Sequence, residues 1–160
     1  MNRKTKIKTF IGVLFFVLYF LQALFNIKWN FLEVLQIEEY YKRWSGFVLG
    51  LFILFQWLLT FSRIIPRFKR KSNQINNIHK WIGSLSPILL YVHSTKFGFG
   101  YLLIFSYLFL GNMILGTFNL DVIKSTKEWL FKGWMITHVA LSMIITFVLF
   151  FHIGMVFYYK

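Results

Sequence analysis

Four histidines, His79, His93, His138 and His152, are the only ones in the chain, and they form two pairs with the same spacing of 14 residues. On an α-helix 14 residues rise about 21 Å and return to within about 40° of the starting direction, so each pair sets two imidazoles on one helix face, one in each half of a bilayer. Neutral imidazole is a ligand for iron, and two imidazoles from facing helices fill the axial positions of a b-type haem without a covalent link. The chain has no cysteine. That removes disulfides, thiolate-held iron–sulfur clusters and C-x-x-C-H haem attachment, and leaves nitrogen or oxygen to hold any metal.

The elements that must carry these residues are apolar. Of 160 residues 58% are hydrophobic and 22% aromatic, above the roughly 45–50% apolar share of soluble domains. Apolar runs at 9–26, 45–62, 78–95, 98–118 and 135–157 each approach the roughly 20 residues that cross about 30 Å of hydrocarbon. The expected fold is all-α: a single polytopic membrane helical bundle of about five transmembrane helices spanning 1–160. The first run follows the basic "NRKTKIK" and is read as a retained anchor rather than a cleaved signal, since no small-x-small site follows it. Spans three and five are separated by one crossing and run parallel. His79 then shares a depth with His138, and His93 with His152.

A net charge of +13 suggests nucleic acid in a soluble chain, but here Lys and Arg sit in short runs between apolar segments. Topology explains them better, and no nucleic-acid partner is expected. The N-terminus (Arg3, Lys4, Lys6, Lys8), the 63–80 connection (Arg63, Arg67, Lys69, Arg70, Lys71, Lys80) and the 119–134 connection (Lys124, Lys127, Lys132) hold 13 of the 18 basic residues. The remainder are Lys28, Lys42, Arg43, Lys96 and Lys160. That asymmetry predicts an integral membrane protein with a cytoplasmic N-terminus and an extracytoplasmic C-terminus. The segment between spans one and two mixes Trp, Tyr and charge and is expected along the outer interface. "STKFGFG" reads as a glycine turn; Gly98 and Gly100 make no Rossmann fingerprint.

The surroundings fit a flat macrocycle. Gly83 and Ser142 each follow the inner histidine of their helix by four residues, where small side chains admit close approach. Pro87 is expected to kink span three by removing the donor for the Gly83 carbonyl. Tyr91, Phe147, Phe150 and Phe151 are of a type that fills space at porphyrin edges or faces lipid. Arg67, Lys69, Arg70, Lys71 and Lys80 suit pairing with propionates, an acidic partner or anionic lipid, with Lys80 next to a ligand.

Taken together, "HKWIGSLSPILLYVH" and "HVALSMIITFVLFFH" resemble the transmembrane domain of the ferric reductase and NADPH oxidase superfamily, and of respiratory cytochrome b in the same respect. The resemblance covers spans three to five. It implies two haem b groups between parallel helices three and five, His79 with His138 toward the cytoplasm and His93 with His152 toward the outside, with iron bound by all four. Family members continue into a sixth helix and a flavin and nicotinamide domain that this sequence does not contain. The implied role is therefore transmembrane electron transfer by a cytochrome b subunit of an oxidoreductase complex, rather than a complete enzyme. Partners implied are membrane lipid, a separate redox donor and acceptor protein, or a quinone; Trp81, Trp134 and Lys132 lie at interface depth for the last.

Two other functions remain open at this point. One is a haem-free structural or assembly subunit whose histidines tie helices together; the other is a proton or metal transporter with a histidine relay. Against the transporter, Asp121 and Glu128 fall in a connection and no carboxylate interrupts a span.

Overall fold

The computed structural model describes residues 3–118 and 127–159, with side chains from residue 7 onward. The side chains of Arg3, Lys4, Lys6, Lys124 and Lys160, used above for topology, and Asp121 lie outside the described residues. Among the described residues every regular element is helical, as the apolar patterning predicts. The chain divides into two compact units, Asn2–Lys96 and Phe97–Lys160.

The N-terminal unit contains α1 (Arg3–Leu24), α2 (Asn30–Ile37), α3 (Glu39–Gln56), α4 (Leu58–Ile64), a 3-10 helix (Pro66–Lys71), α5 (Ser72–Ser84) and α6 (Ser86–His93). Helix α1 packs along α5 and α6, α3 lies against α2 and α6, and α4 lies against α5. The C-terminal unit is α7 (Tyr101–Thr117) packed on α8 (Glu128–Tyr158).

Three helical stretches are long and apolar enough to cross a membrane: Ile7–Leu24, Glu39–Ile64 and Glu128–Tyr158. They contain most of the first, second and fifth expected spans, and at several ends they overrun the apolar borders because Lys, Arg and Glu extend a helix at little cost. Helix α7 is apolar but has 17 residues, short of the roughly 20 that a straight crossing takes. The third region is two helices rather than one. It starts at Ser72 within the polar "SNQINNI", breaks at Leu85, and resumes at Ser86.

Pro87 causes the break, since it has no N–H for the Gly83 carbonyl and its ring crowds that oxygen. Ser86 Oγ donates to the Gly83 carbonyl at 2.8 Å, and Ser84 Oγ donates to the Trp81 carbonyl at 2.7 Å. Ser84, Ser86 and Pro87 are all buried, so the local side chains satisfy backbone that water cannot reach. Between α6 and α7, Gly98 and Gly100 take φ of 79° and 59°, values that the missing Cβ makes inexpensive. A Cβ on Gly98 would stand 2.7 Å from Leu102 Cβ.

The α8 face against α7 has coiled-coil spacing. His138, Ser142, Ile145, Leu149 and His152 follow one another at intervals of four, three, four and three, the repeat that keeps one seam toward a partner helix. Ile145 and Leu149 are buried, and α7 contributes buried Phe109, Leu110 and Met113. The 14-residue spacing of this histidine pair is two heptads, which is why both imidazoles belong to the packed seam.

Ser86→Ala is expected to lower the unfolding free energy by roughly 1–3 kcal/mol, the cost of a buried acceptor losing its donor. Denaturant titration in detergent micelles measures it, and Ser86→Thr, which keeps the hydroxyl, should retain most of the stability.

Candidate functional site

His93, the last residue of α6, lies against α3. A Cβ on Gly46 would stand 3.0 Å from His93 Cε1, so the glycine is the seat of the ring. Beside it, Ser45 Oγ is 3.1 Å from His93 Nδ1. The Ser45 hydroxyl has one proton, and it donates to the Tyr41 carbonyl at 2.8 Å. Ser45 Oγ and His93 Nδ1 are thus in hydrogen-bond contact, with the direction set by the ring tautomer. This is the second-partner arrangement by which a ligating histidine is usually oriented.

The turn that ends α6 is held by side chains from α1, α2 and α3. Gln36 Nε2 donates to the carbonyls of Tyr91 and Val92 at 2.8 and 3.0 Å. Gln36 Oε1 accepts from Thr95 N–H at 3.1 Å and from Thr95 Oγ1 at 2.9 Å. Tyr41 Oη donates to the Val92 carbonyl at 3.0 Å and Tyr19 Oη to the Ser94 carbonyl at 3.2 Å.

His79 is half-buried in α5. On either side of it, Asn77 and Trp81 both engage Lys8 of α1: Nζ donates to Asn77 Oδ1 and stands 5.4 Å from the Trp81 ring centroid. Lys8 belongs with the basic N-terminal run in sequence, yet it is only 7% exposed. It is part of the helix packing rather than a solvated loop charge, with a carbonyl oxygen and an aromatic face in contact with the ammonium.

In the C-terminal unit, His138 stacks on Trp134 with centroids 5.8 Å apart and planes 3° from parallel. A Cβ on Gly116 would stand 3.1 Å from His138 Cε1, so this ring too is seated on a glycine of the neighbouring helix. The imidazole is hydrogen-bonded to the backbone of Asn112. Asn112 Nδ2 donates to Ser142 Oγ at 2.9 Å, which in turn donates to the His138 carbonyl at 2.8 Å. His152 has Tyr101 Oη 3.2 Å from its Nδ1, with the Phe105 ring 6.1 Å away.

Each expected pair takes one histidine from each unit. Within its own unit His138 meets the Asn112 backbone, and His93 and His152 each meet a hydroxyl at Nδ1. Among the described residues no three His, Cys, Asp or Glu side chains converge, so a metal site built wholly of such side chains lacks its ligands. A porphyrin brings four equatorial nitrogens and asks the protein for only two.

The other sequence-predicted residues are distributed as follows. Gly83 lies in α5 with nothing within 4 Å of a Cβ built on it, and Lys80 is half-buried on the same helix. Ser142 bridges α8 to α7 through Asn112. Trp134 Nε1 donates to the Leu115 carbonyl at 2.7 Å, and Lys132 pairs with Glu128 at 3.3 Å. Tyr91 meets Tyr19 edge-on, Phe151 meets Tyr101 edge-on, and Phe147 and Phe150 are exposed. Sequence reading missed Gly46, Ser45, Gln36, Tyr101 and Asn112. A signal existed for the first: "GFVLG" places Gly46 and Gly50 four apart, the small-xxx-small pattern of close membrane helix pairs.

No protein-family model, curated protein or solved structure matches the chain.

Replacing a helical glycine by alanine ordinarily stabilises by about 0.5–1 kcal/mol. Gly83→Ala should show that gain, because its Cβ enters open space. Gly46→Ala and Gly116→Ala should lose stability instead, and each should shift the 15N signals of its own histidine, read by NMR on haem-free protein with labelled histidine.

Proposed function

We propose that the chain is a di-haem b-type cytochrome subunit that carries electrons across a membrane. In this reading five segments cross the bilayer, with the N-terminus cytoplasmic and the C-terminus extracytoplasmic. His79 and His138 would hold the inner haem b, and His93 and His152 the outer one. Bound haem supplies one-electron cycling between ferric and ferrous iron.

The observation that carries the reading is the engagement of Nδ1 by a hydroxyl at both outer histidines, Ser45 at 3.1 Å and Tyr101 at 3.2 Å. Contact at Nδ1 supports ligation through Nε2 at these two rings. The donor chemistry agrees: imidazoles without carboxylates or thiolates suit iron in a porphyrin better than a hard divalent cation. Seats at Gly46 and Gly116 hold two of the rings against neighbouring helices, which fixes ligand direction before any group is bound.

Gly83, with open space beside it, and Lys80 on the same helix would line the inner site, where the lysine offers a positive charge to a propionate. Ser142, tied to Asn112, would keep α8 in register with α7 at the depth of His138. Membrane lipid would cover the exposed Phe31, Val34 and Ile37 of α2 at the outer interface. A separate donor and acceptor, proteins or quinone, complete the path, and the chain acts as one subunit of an oxidoreductase complex.

A second reading is favoured by His138, whose stacking on Trp134 and seating on Gly116 also describe a helix tie in a haem-free structural subunit. Haem content separates the two.

His93→Ala should abolish one of two components in a potentiometric titration of the purified protein and leave the other, and His152→Ala should give the same remaining component. Retention of both components in either variant would overturn the pairing. Gly83→Leu should reduce occupancy of the component that survives His93→Ala by more than it reduces the other; equal losses would mean general misfolding.

A further inference from the structure

We propose that Gln36 is the positioning residue for His93, and that α2 is a strap through which this one amide sets the direction of the imidazole. The assignment of His93 as a haem ligand rests on the proposed function; the positioning itself does not.

A helix leaves its last four carbonyls without intrahelical partners, and the usual remedy is a left-handed glycine cap. Helix α6 has eight residues and no such glycine: Ser94 follows His93 in an extended conformation, φ −150° and ψ 121°. The Leu90 carbonyl is taken by Ser94 N–H at 2.7 Å. The next two carbonyls, of Tyr91 and Val92, accept from Gln36 Nε2, and the amide's own oxygen accepts from both donors of buried Thr95. A single side chain thus spans the chain on both sides of His93, using donors and acceptor together.

Helix α2 is built to deliver that amide. Its eight residues are too few for a helix stable by itself, and neither end has a side-chain cap. Leu32, one turn before Gln36, is buried, while Phe31, Val34 and Ile37 point outward. Leu32 and Gln36 therefore form the inward face. The ring that depends on them is closely set, because a methyl group on Gly46 would stand 3.0 Å from its Cε1 and Ser45 Oγ lies at hydrogen-bond distance from its Nδ1. Movement of the 91–95 backbone by a fraction of an ångström transfers directly to the imidazole.

The test compares Gln36→Met, which keeps length and loses all four hydrogen bonds, with Gln36→Glu, which keeps the acceptor for Thr95 but turns an oxygen toward the Tyr91 and Val92 carbonyls. Val34→Ala on the exposed face is the control. In haem-free protein, hydrogen exchange at the Thr95 amide should rise by roughly two- to tenfold in Gln36→Met, the loss of one net hydrogen bond. Labelled-histidine NMR should show the His93 signals moving in both Gln36 variants, with those of His152 unchanged. In haem-loaded protein the component lost in His93→Ala should shift in potential and in low-temperature EPR, with the other component unmoved. Unchanged Thr95 exchange and His93 signals in Gln36→Met would overturn the proposal, as would equal changes at His152, which would mark general loosening. A wild-type protein that binds no haem would remove the proposed function yet leave the exchange and NMR arms to decide the strap.

Discussion

An imidazole placed in an apolar helix has two ring nitrogens and a flat, rigid outline, and a hydrocarbon surrounding offers neither hydrogen bonds nor a matching surface. Much of the packing around the four histidines answers that constraint. His93 and His152 meet hydroxyls, His138 meets backbone and an indole, and two of the rings rest on glycines that leave room for them. The same constraint governs the break in α5–α6, where Ser86 supplies the donor that Pro87 removes. Near the histidines, Ser45, Tyr101, Ser142 and the Asn112 amide nitrogen are engaged locally.

The spacing of 14 takes a different meaning in the two units. In α8 it is a heptad repeat, with the imidazoles at the two ends of a seam whose middle is Ser142, Ile145 and Leu149. The helix is continuous over 31 residues, so the rise of about 21 Å between the histidines follows directly. Between His79 and His93 the chain turns at Leu85, and the identity in spacing does not translate into identity of geometry. His93 instead owes its placement to the end of α6 and to the side chains that close it. One histidine is set by helix periodicity, the other by the way its helix ends.

Much of the class of fold was legible. Long apolar runs without carboxylates specify membrane-length helices, Pro87 specifies a break, and Gly98 and Gly100 specify a turn, because each follows from a property of the residue itself. The polar "SNQINNI" was unreadable as helix, since amide-rich segments favour turns in isolation and become helical here by packing against α1 and α4. Lys8 was read with its basic neighbours because charge alone does not reveal that Asn77 and Trp81, far along the chain, enclose it. Gln36 lies in a segment readable only as interfacial, and Ser45 opens the expected second span. Their distant partners, the 91–95 backbone with Thr95 for Gln36 and the His93 ring for Ser45, lie some fifty residues away, and no spacing rule links a glutamine to a distant helix end. The candidate site was thus visible through its histidines and hidden in what holds them.

The proposed function stands or falls on whether the chain binds haem. The most direct measurement is the dithionite-reduced minus air-oxidised optical spectrum of the purified chain, with haem quantified against protein. The account predicts the sharp bands of low-spin, bis-histidine b haem at a stoichiometry of two per chain. A folded, colourless protein that takes up no added haem would contradict it and leave the histidines as ties between helices.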